Sequence, residues 1–345
     1  MNGTTLLDYA VNTTPDPIQA SPSTGNPNTV TLEIVVSNSS GDMITCNSIA
    51  VSFLTGTDAE ELSSDTSGIG NTVPTGWSMQ QSGSIFTFSP DTEEAGQISG
   101  QGLTFVLSNI KVNQQPGTFQ LTITEDASDP DAIPPAPEEN RTINIPLSKF
   151  PPQFYVDDPT TNHSIINKGD SVLLSWSGSS SSGNYTATYS IEYENGDGNK
   201  VTISHPKGQP TQPLPAVGSY EIDDAGLDPT VFYLQVTVQV QGLDHPLYYT
   251  KSASVTVIQP KPAINSFSIA PNSVVPGQGL SFTLSWTVSN VTDFQIIAND
   301  GPGGQSRRLD VPFSLEGTYV VYPIQLQTTY SMQLLSSSRN ESEEI

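Results

Sequence analysis

The chain has 345 residues, 34% hydrophobic and 13% charged, with Gly 27 and Pro 28. That apolar content is too high for a disordered chain and the turn-former content too high for a helical bundle, which leaves a loop-rich β protein of two or three domains. Lys+Arg 11 against Asp+Glu 35 give a net charge of −24, which repels nucleic acid and anionic lipid, so neither is an expected partner. A single cysteine, Cys46, excludes an intrachain disulfide and a thiolate zinc site. No run approaches the roughly 18–20 apolar residues of a membrane-spanning helix, so no membrane insertion is expected. Residues 1–20 hold no Lys or Arg and only the short apolar pair Leu6 and Leu7, so no Sec-type signal is read there.

Period-two alternation dominates the first block. The runs 31–36, 48–53, 118–123 and 142–145 each place Val, Ile, Leu or Phe on alternate positions, which predicts strands with one buried face. The acidic run 57–62 reads as a connecting turn, and 126–140, with Pro130, Pro134, Pro135 and Pro137, as a long hairpin loop or flap. Pro151-Pro152 and the Pro260 to Pro262 stretch read as stiff hinges, because proline fixes its own φ and restrains its predecessor. They predict three domains: a larger acidic β-sandwich over 1–148, then Ig-like sandwiches over 149–259 and 260–345.

The second and third blocks repeat one pattern. Phe154 and Val156 lead to Gly169, Val172, Leu174, Ser175 and Trp176, as Phe267 and Ile269 lead to Gly277, Leu280, Phe282, Leu284, Ser285 and Trp286. Each block then reaches a Thr-x-aromatic strand carrying Phe232 or Tyr330. A Gly-led turn feeding an alternating strand that ends in Ser-Trp sets an indole between two sheets, so Trp176, Trp286, Phe232 and Tyr330 are the expected structural core. The hairpin turns read at 195–199 and 301–304 fit that plan.

Ile264, Phe267, Pro276-Gly277, Leu284-Ser285-Trp286 and Thr328-Thr329-Tyr330 together resemble the short Ig-like modules repeated in bacterial surface and secreted proteins, best over about 260–338 and more weakly over 150–258. The resemblance implies a disulfide-free β-sandwich used as a spacer, adhesive stalk or accessory module. It implies no reaction, and an extracellular or cell-surface location.

Candidate chemistry is sparse. His163, His205 and His245 stand in Asn-His-Ser, Ser-His-Pro and Asp-His-Pro settings that read as loops, without the spacing of a zinc pair. Cys46 lies beside a strand and reads as a packed thiol. Blocks 1–150, 151–259 and 260–345 carry 17, 11 and 7 acids against 3, 4 and 4 bases. Calcium, the sole cofactor considered, finds oxygen ligands in two acidic clusters: Glu125, Asp126, Asp129 and Asp131, and Asp223, Asp224 and Asp228. Solubilising surface charge is the competing reading of both.

The functional expectation is a non-enzymatic structural or adhesive protein whose tandem Ig-like domains present the acidic N-terminal domain to a partner, a protein or glycan surface or another copy. Two alternatives stand beside it. One is a protomer of a larger fibre, injection or toxin particle. The other is a carbohydrate-binding accessory module with Trp77, after the Pro74-Thr75-Gly76 turn, as its stacking platform.

Overall fold

A computed structural model describes residues 5–100, 102–129, 136–223, 225, 228–258, 261–271, 281–301, 305–323 and 328–335, the side chains of 136–139 excepted. Asp131, Asp224, Gly277, Leu280 and most of the 301–304 turn lie outside the described residues. The chain forms two compact units, 1–257 and 258–345. Among the described residues the regular structure is β throughout, apart from a 3-10 turn at Glu94–Gly96.

The first sandwich uses β1 (Asp8–Thr14), β2 (Ile18–Gln19), β3 (Thr29–Ser37), β4 (Ile44–Phe53), β5 (Gly70–Thr72), β6 (Trp77–Ser82), β7 (Ile85–Pro90), β8 (Gln97–Ile98), β9 (Leu103–Lys111), β10 (Gly117–Asp129) and β11 (Ala136–Phe150). One sheet runs β1-β3-β9-β5; the other runs β2-β11-β10-β4-β7-β6, with β8 against β4. The alternation works as expected: on β3, Val30, Leu32, Ile34 and Val36 point inward, and on β10 so do Phe119, Leu121 and Ile123. They meet Phe53, Phe86, Phe88 and Phe105 in one core.

The flap expected over 126–140 is shorter than its prolines suggest. Strand β10 continues to Asp129 and β11 starts at Ala136, with a bulge between Ala127 and Asp129. The reason lies at the sheet edge. Apart from Lys149 and Phe150, which meet β2, β11 has β10 as its only described neighbour. Pro137 and Pro146 therefore sit on an edge strand, where proline is tolerated.

The second sandwich is built from β12 (Thr160–Thr161), β13 (Ile165–Asn167), β14 (Val172–Ser177), β15 (Tyr185–Glu194), β16 (Lys200–Ile203), β17 (Val217–Ile222), β18 (Thr230–Val240) and β19 (Leu247–Ile258). Its sheets are β12-β14-β17 and β13-β19-β18-β15-β16. The third uses β20 (Ala263–Ala270), β21 (Phe282–Ser289), β22 (Asp293–Asn299), β23 (Ser306–Arg308), β24 (Glu316–Val321) and β25 (Thr329–Leu335), in sheets β20-β21-β24 and β23-β22-β25. Strand for strand, β20-β21-β24 repeats β12-β14-β17, and β23-β22-β25 repeats β16-β15-β18. The sequence repeat is thus a topological one.

The two halves of unit 1 are splinted across Pro151-Pro152. Phe150, at the end of β11, stacks on Phe154 at 4.8 Å between ring centroids and edges onto Tyr249 at 5.5 Å. Both phenylalanines belong to the second core. Gln19 donates to the Phe154 carbonyl at 2.9 Å and accepts from the Gln153 amide at 3.2 Å. Lys251 of β19 reaches Asp16 at 3.0 Å and Asp158 at 3.1 Å.

Candidate functional site

The two repeated tryptophans are held alike. Trp176 sits opposite Gly218 on the β14–β17 ladder and donates Nε1–H to the Pro215 carbonyl at 2.9 Å. Trp286 sits opposite Gly317 on β21–β24 and donates to the Ser314 carbonyl at 3.0 Å. In each case the acceptor lies three residues before the glycine. Both glycines make room for the indole: a Cβ on Gly317 would lie 2.5 Å from Trp286, and one on Gly218 would lie 3.1 Å from Trp176. The repeated Gly-x-Tyr of Gly218 to Tyr220 and Gly317 to Tyr319 was the available sequence signal. Phe232 is fully buried, whereas Tyr330 is only half-buried.

The described members of the acidic clusters, which leave out Asp131 and Asp224, do not converge as their sequence proximity suggests. Along β10, Glu125 and Asp129 point inward and Asp126 outward, because neighbours on a strand face opposite ways. Glu125 accepts from the Leu6 amide at 2.5 Å, the Leu7 amide at 3.3 Å and the Tyr9 hydroxyl at 2.8 Å. It thereby joins the entry to β1, in one sheet, to β10 in the other. Burial pushes its pKa up, against the opposing pull of these three donors and of Arg141, its cross-strand neighbour. In the second cluster, Asp223 pairs with Lys207 at 2.7 Å and Asp228 accepts from the Val257 amide at 3.2 Å. Among the described residues, no three His, Cys, Asp or Glu side chains stand close enough to share a metal ion.

Sequence reasoning missed a buried cation. Lys149, fully buried on β11, sends its ammonium to the Asn113 Oδ1 at 2.6 Å and to the Glu61 and Asp58 carbonyls. Asn113 Nδ2 donates to the Gly56, Asp58 and Glu61 carbonyls. The 57–62 turn is thus clamped from two sides. Burial pulls the Lys149 pKa down to about 8, while the negative charge of Glu61 opposes the shift. Nothing local in the sequence marks this cage, since its partners lie up to 91 residues apart.

Cys46 is buried, and burial with the charge of Glu125 pushes its thiol up to about 12, so it packs as a protonated thiol. The three histidines are exposed and lie in loops. Trp77 is buried in the first core, 5% exposed, with Nε1–H on the Ala95 carbonyl at 3.1 Å. It therefore offers no face to a sugar. All three tryptophans serve packing, and the large exposed rings of unit 1 are tyrosines: Tyr155, Tyr233 and Tyr248.

No family model matches the chain, and no curated protein does. Several solved structures are similar to it. A tetra-tandem repeat from the extending region of a large adhesion protein is 12% identical, with 98% of this chain and 72% of that one covered at a TM-score of 0.26. The C-terminal domain of the Streptococcus pyogenes antigen I/II-family protein AspA is 10% identical, covering 73% and 99%, at 0.26. The Actinomyces fimbrial adhesin FimA is 11% identical, covering 73% and 98%, at 0.24. At such scores the likeness assigns no function.

Proposed function

We propose that this chain is a non-enzymatic structural and adhesive protein that works outside the cytoplasm. Its three sandwiches, 1–148, 149–259 and 260–345, serve to present the acidic N-terminal domain to a protein or glycan surface. The observation that carries the reading is the splint across Pro151-Pro152. Stacked Phe150 and Phe154, the bridging Gln19 and the Asp16–Lys251 pair hold the first sandwich against the second rather than leaving it on a free tether. The buried ionisable groups support it further. Glu125 and Lys149 are engaged in architectural hydrogen bonds and Cys46 is a protonated core thiol, so none is poised for chemistry.

The test is the mass in solution by light scattering over a concentration series, with calcium and with chelator. A constant mass near 36.8 kDa supports a monomeric presenting module. Mass that grows with concentration replaces this reading with that of an assembly protomer. Growth only in calcium directs mutation to the acidic residues of β10 and to Asp223 and Asp228.

A further inference from the structure

The outward face of the sheet β13-β19-β18-β15-β16 is unusual for a chain of net charge −24. Its charged strand residues, Glu192, Glu194 and Lys200, gather at one end, where Lys200 pairs with Glu192 at 2.6 Å and Gln235 donates to the same carboxylate at 3.2 Å. The rest of β15, β18 and the paired part of β19 shows hydroxyls, amides, the partly buried Val231 and two exposed rings. Tyr233 is 43% exposed and Tyr248 is 68% exposed.

The register fixes where these groups stand. Tyr233 lies opposite Ser252, Gln235 opposite Thr250, and Thr237 opposite Tyr248. On the other side of β18, Ser190 faces Gln235 and Thr188 faces Thr237. The two rings are therefore four residues apart along adjacent strands, about 13 Å. The ground between them offers only neutral donors and acceptors. At the Tyr233 end the face opens into a cleft of about 300 Å³ whose lining includes Glu192, Glu194, Lys200, Thr230, Val231 and Tyr233.

We propose that this face binds a neutral polysaccharide, with Tyr233 and Tyr248 stacking on sugar rings and Gln235, Thr237 and Thr250 hydrogen-bonding the hydroxyls between them. The inference goes beyond the presenting-module reading above, because it places a binding face on the second sandwich. Three features select that ligand. A sugar ring offers a C–H face to an aromatic and an equatorial rim of hydroxyls to amides and hydroxyls, the two group types present here. The rings are separated by polar rows rather than merged, so the apolar centre of a protein interface is missing. The molecule's negative charge disfavours polyanions. A track of rings and polar groups that runs along two strands also suits an extended polymer better than a compact ligand.

The experiment is affinity electrophoresis of the full chain in native gels containing a soluble β-1,3-glucan, xyloglucan, galactomannan or starch, with alginate as the anionic control. The parent should be retarded by at least one neutral polymer and not by alginate. The double variant Tyr233→Ala/Tyr248→Ala should bind that polymer at least tenfold more weakly, and Tyr233→Phe/Tyr248→Phe should keep most of the retardation. Both positions are exposed, and circular dichroism of the variants checks the fold. Retardation by no neutral polymer, by alginate alone, or equally in parent and Ala variant overturns the inference. A parent that is monomeric by light scattering yet unretarded loses this inference and keeps the presenting-module reading. Concentration-dependent mass abolished by the double Ala variant assigns the face to self-association and overturns both.

Discussion

Single side chains decide whether the sandwiches close. Glu125 is the clearest case, because its carboxylate is buried between the sheets and accepts hydrogen bonds from residues 116 to 119 positions away. Its pKa is raised above the ordinary 4.5. The folded state then holds this proton to higher pH than the unfolded chain does. Its contribution to stability is fully present below the ordinary value and is lost as pH rises through the folded one. Urea unfolding at a series of pH values from 4 to 7 should show that loss in the parent and a flatter profile in Glu125→Gln. An unchanged profile in the variant would place the pH dependence elsewhere. Extending the period-two alternation of 118–123 would turn position 125 inward with 121 and 123, yet the sequence reading stops at 123 and groups Glu125 with the acids of the following loop. What it lacked was the donor set, which comes from the opposite end of the domain.

Gly317 illustrates the complementary point. Gly317→Ala would set a methyl 2.5 Å from the Trp286 ring, and an overpacked core of this kind costs about 1–3 kcal/mol. The expected outcome is a lowered urea midpoint for unit 2 with a shift in tryptophan emission; a midpoint equal to that of the parent would show that the indole yields freely.

Among the elements, the 57–62 turn depends most on distant groups. Its acids read locally as a solvated connection, yet its carbonyls converge on the Lys149 ammonium and the Asn113 amide. Lys149→Met keeps the apolar stem and deletes the cation, leaving buried acceptors with fewer donors at about 1–3 kcal/mol. Hydrogen exchange at residues 56–63 should quicken in that variant more than exchange in β3 or β4. Equal protection would mean that Asn113 alone holds the turn. Strand β11 shows the same division between local and long-range information. Its prolines forbid a central strand, and only the sheet order shows that most of β11 is an edge, where they are tolerated.

For the whole molecule, the division into compact units of 1–257 and 258–345 predicts how it unfolds. Calorimetry should resolve two transitions, with the first two sandwiches melting together. Lys251 contributes to that coupling. Its burial opposes the charge, and the hydrogen bonds to Asp16 and Asp158 more than compensate, so its pKa is raised. Asp16 and Asp158 are well exposed, which screens the pairs to about 1 kcal/mol or less in total. Lys251→Ala should therefore lower the larger transition by about 2–4 °C. Splitting of that transition into two would show that Lys251 is the main tie between the sandwiches.

The sequence alone determined the all-β class, the buried faces of its main strands, the repeated Ser-Trp anchor and the absence of disulfides. Each of these is written in local alternation, in a repeat or in a residue count, because a strand's side chains alternate wherever it lies. Only the tertiary structure decided that Pro151-Pro152 is splinted, that Trp77 is core while Tyr233 and Tyr248 face out, that Glu125 ties two sheets and that Lys149 holds a turn. Those outcomes depend on sheet order and register, which bring together groups as much as 235 residues apart, as Asp16 and Lys251 are. A pattern confined to neighbouring residues carries no record of such pairings.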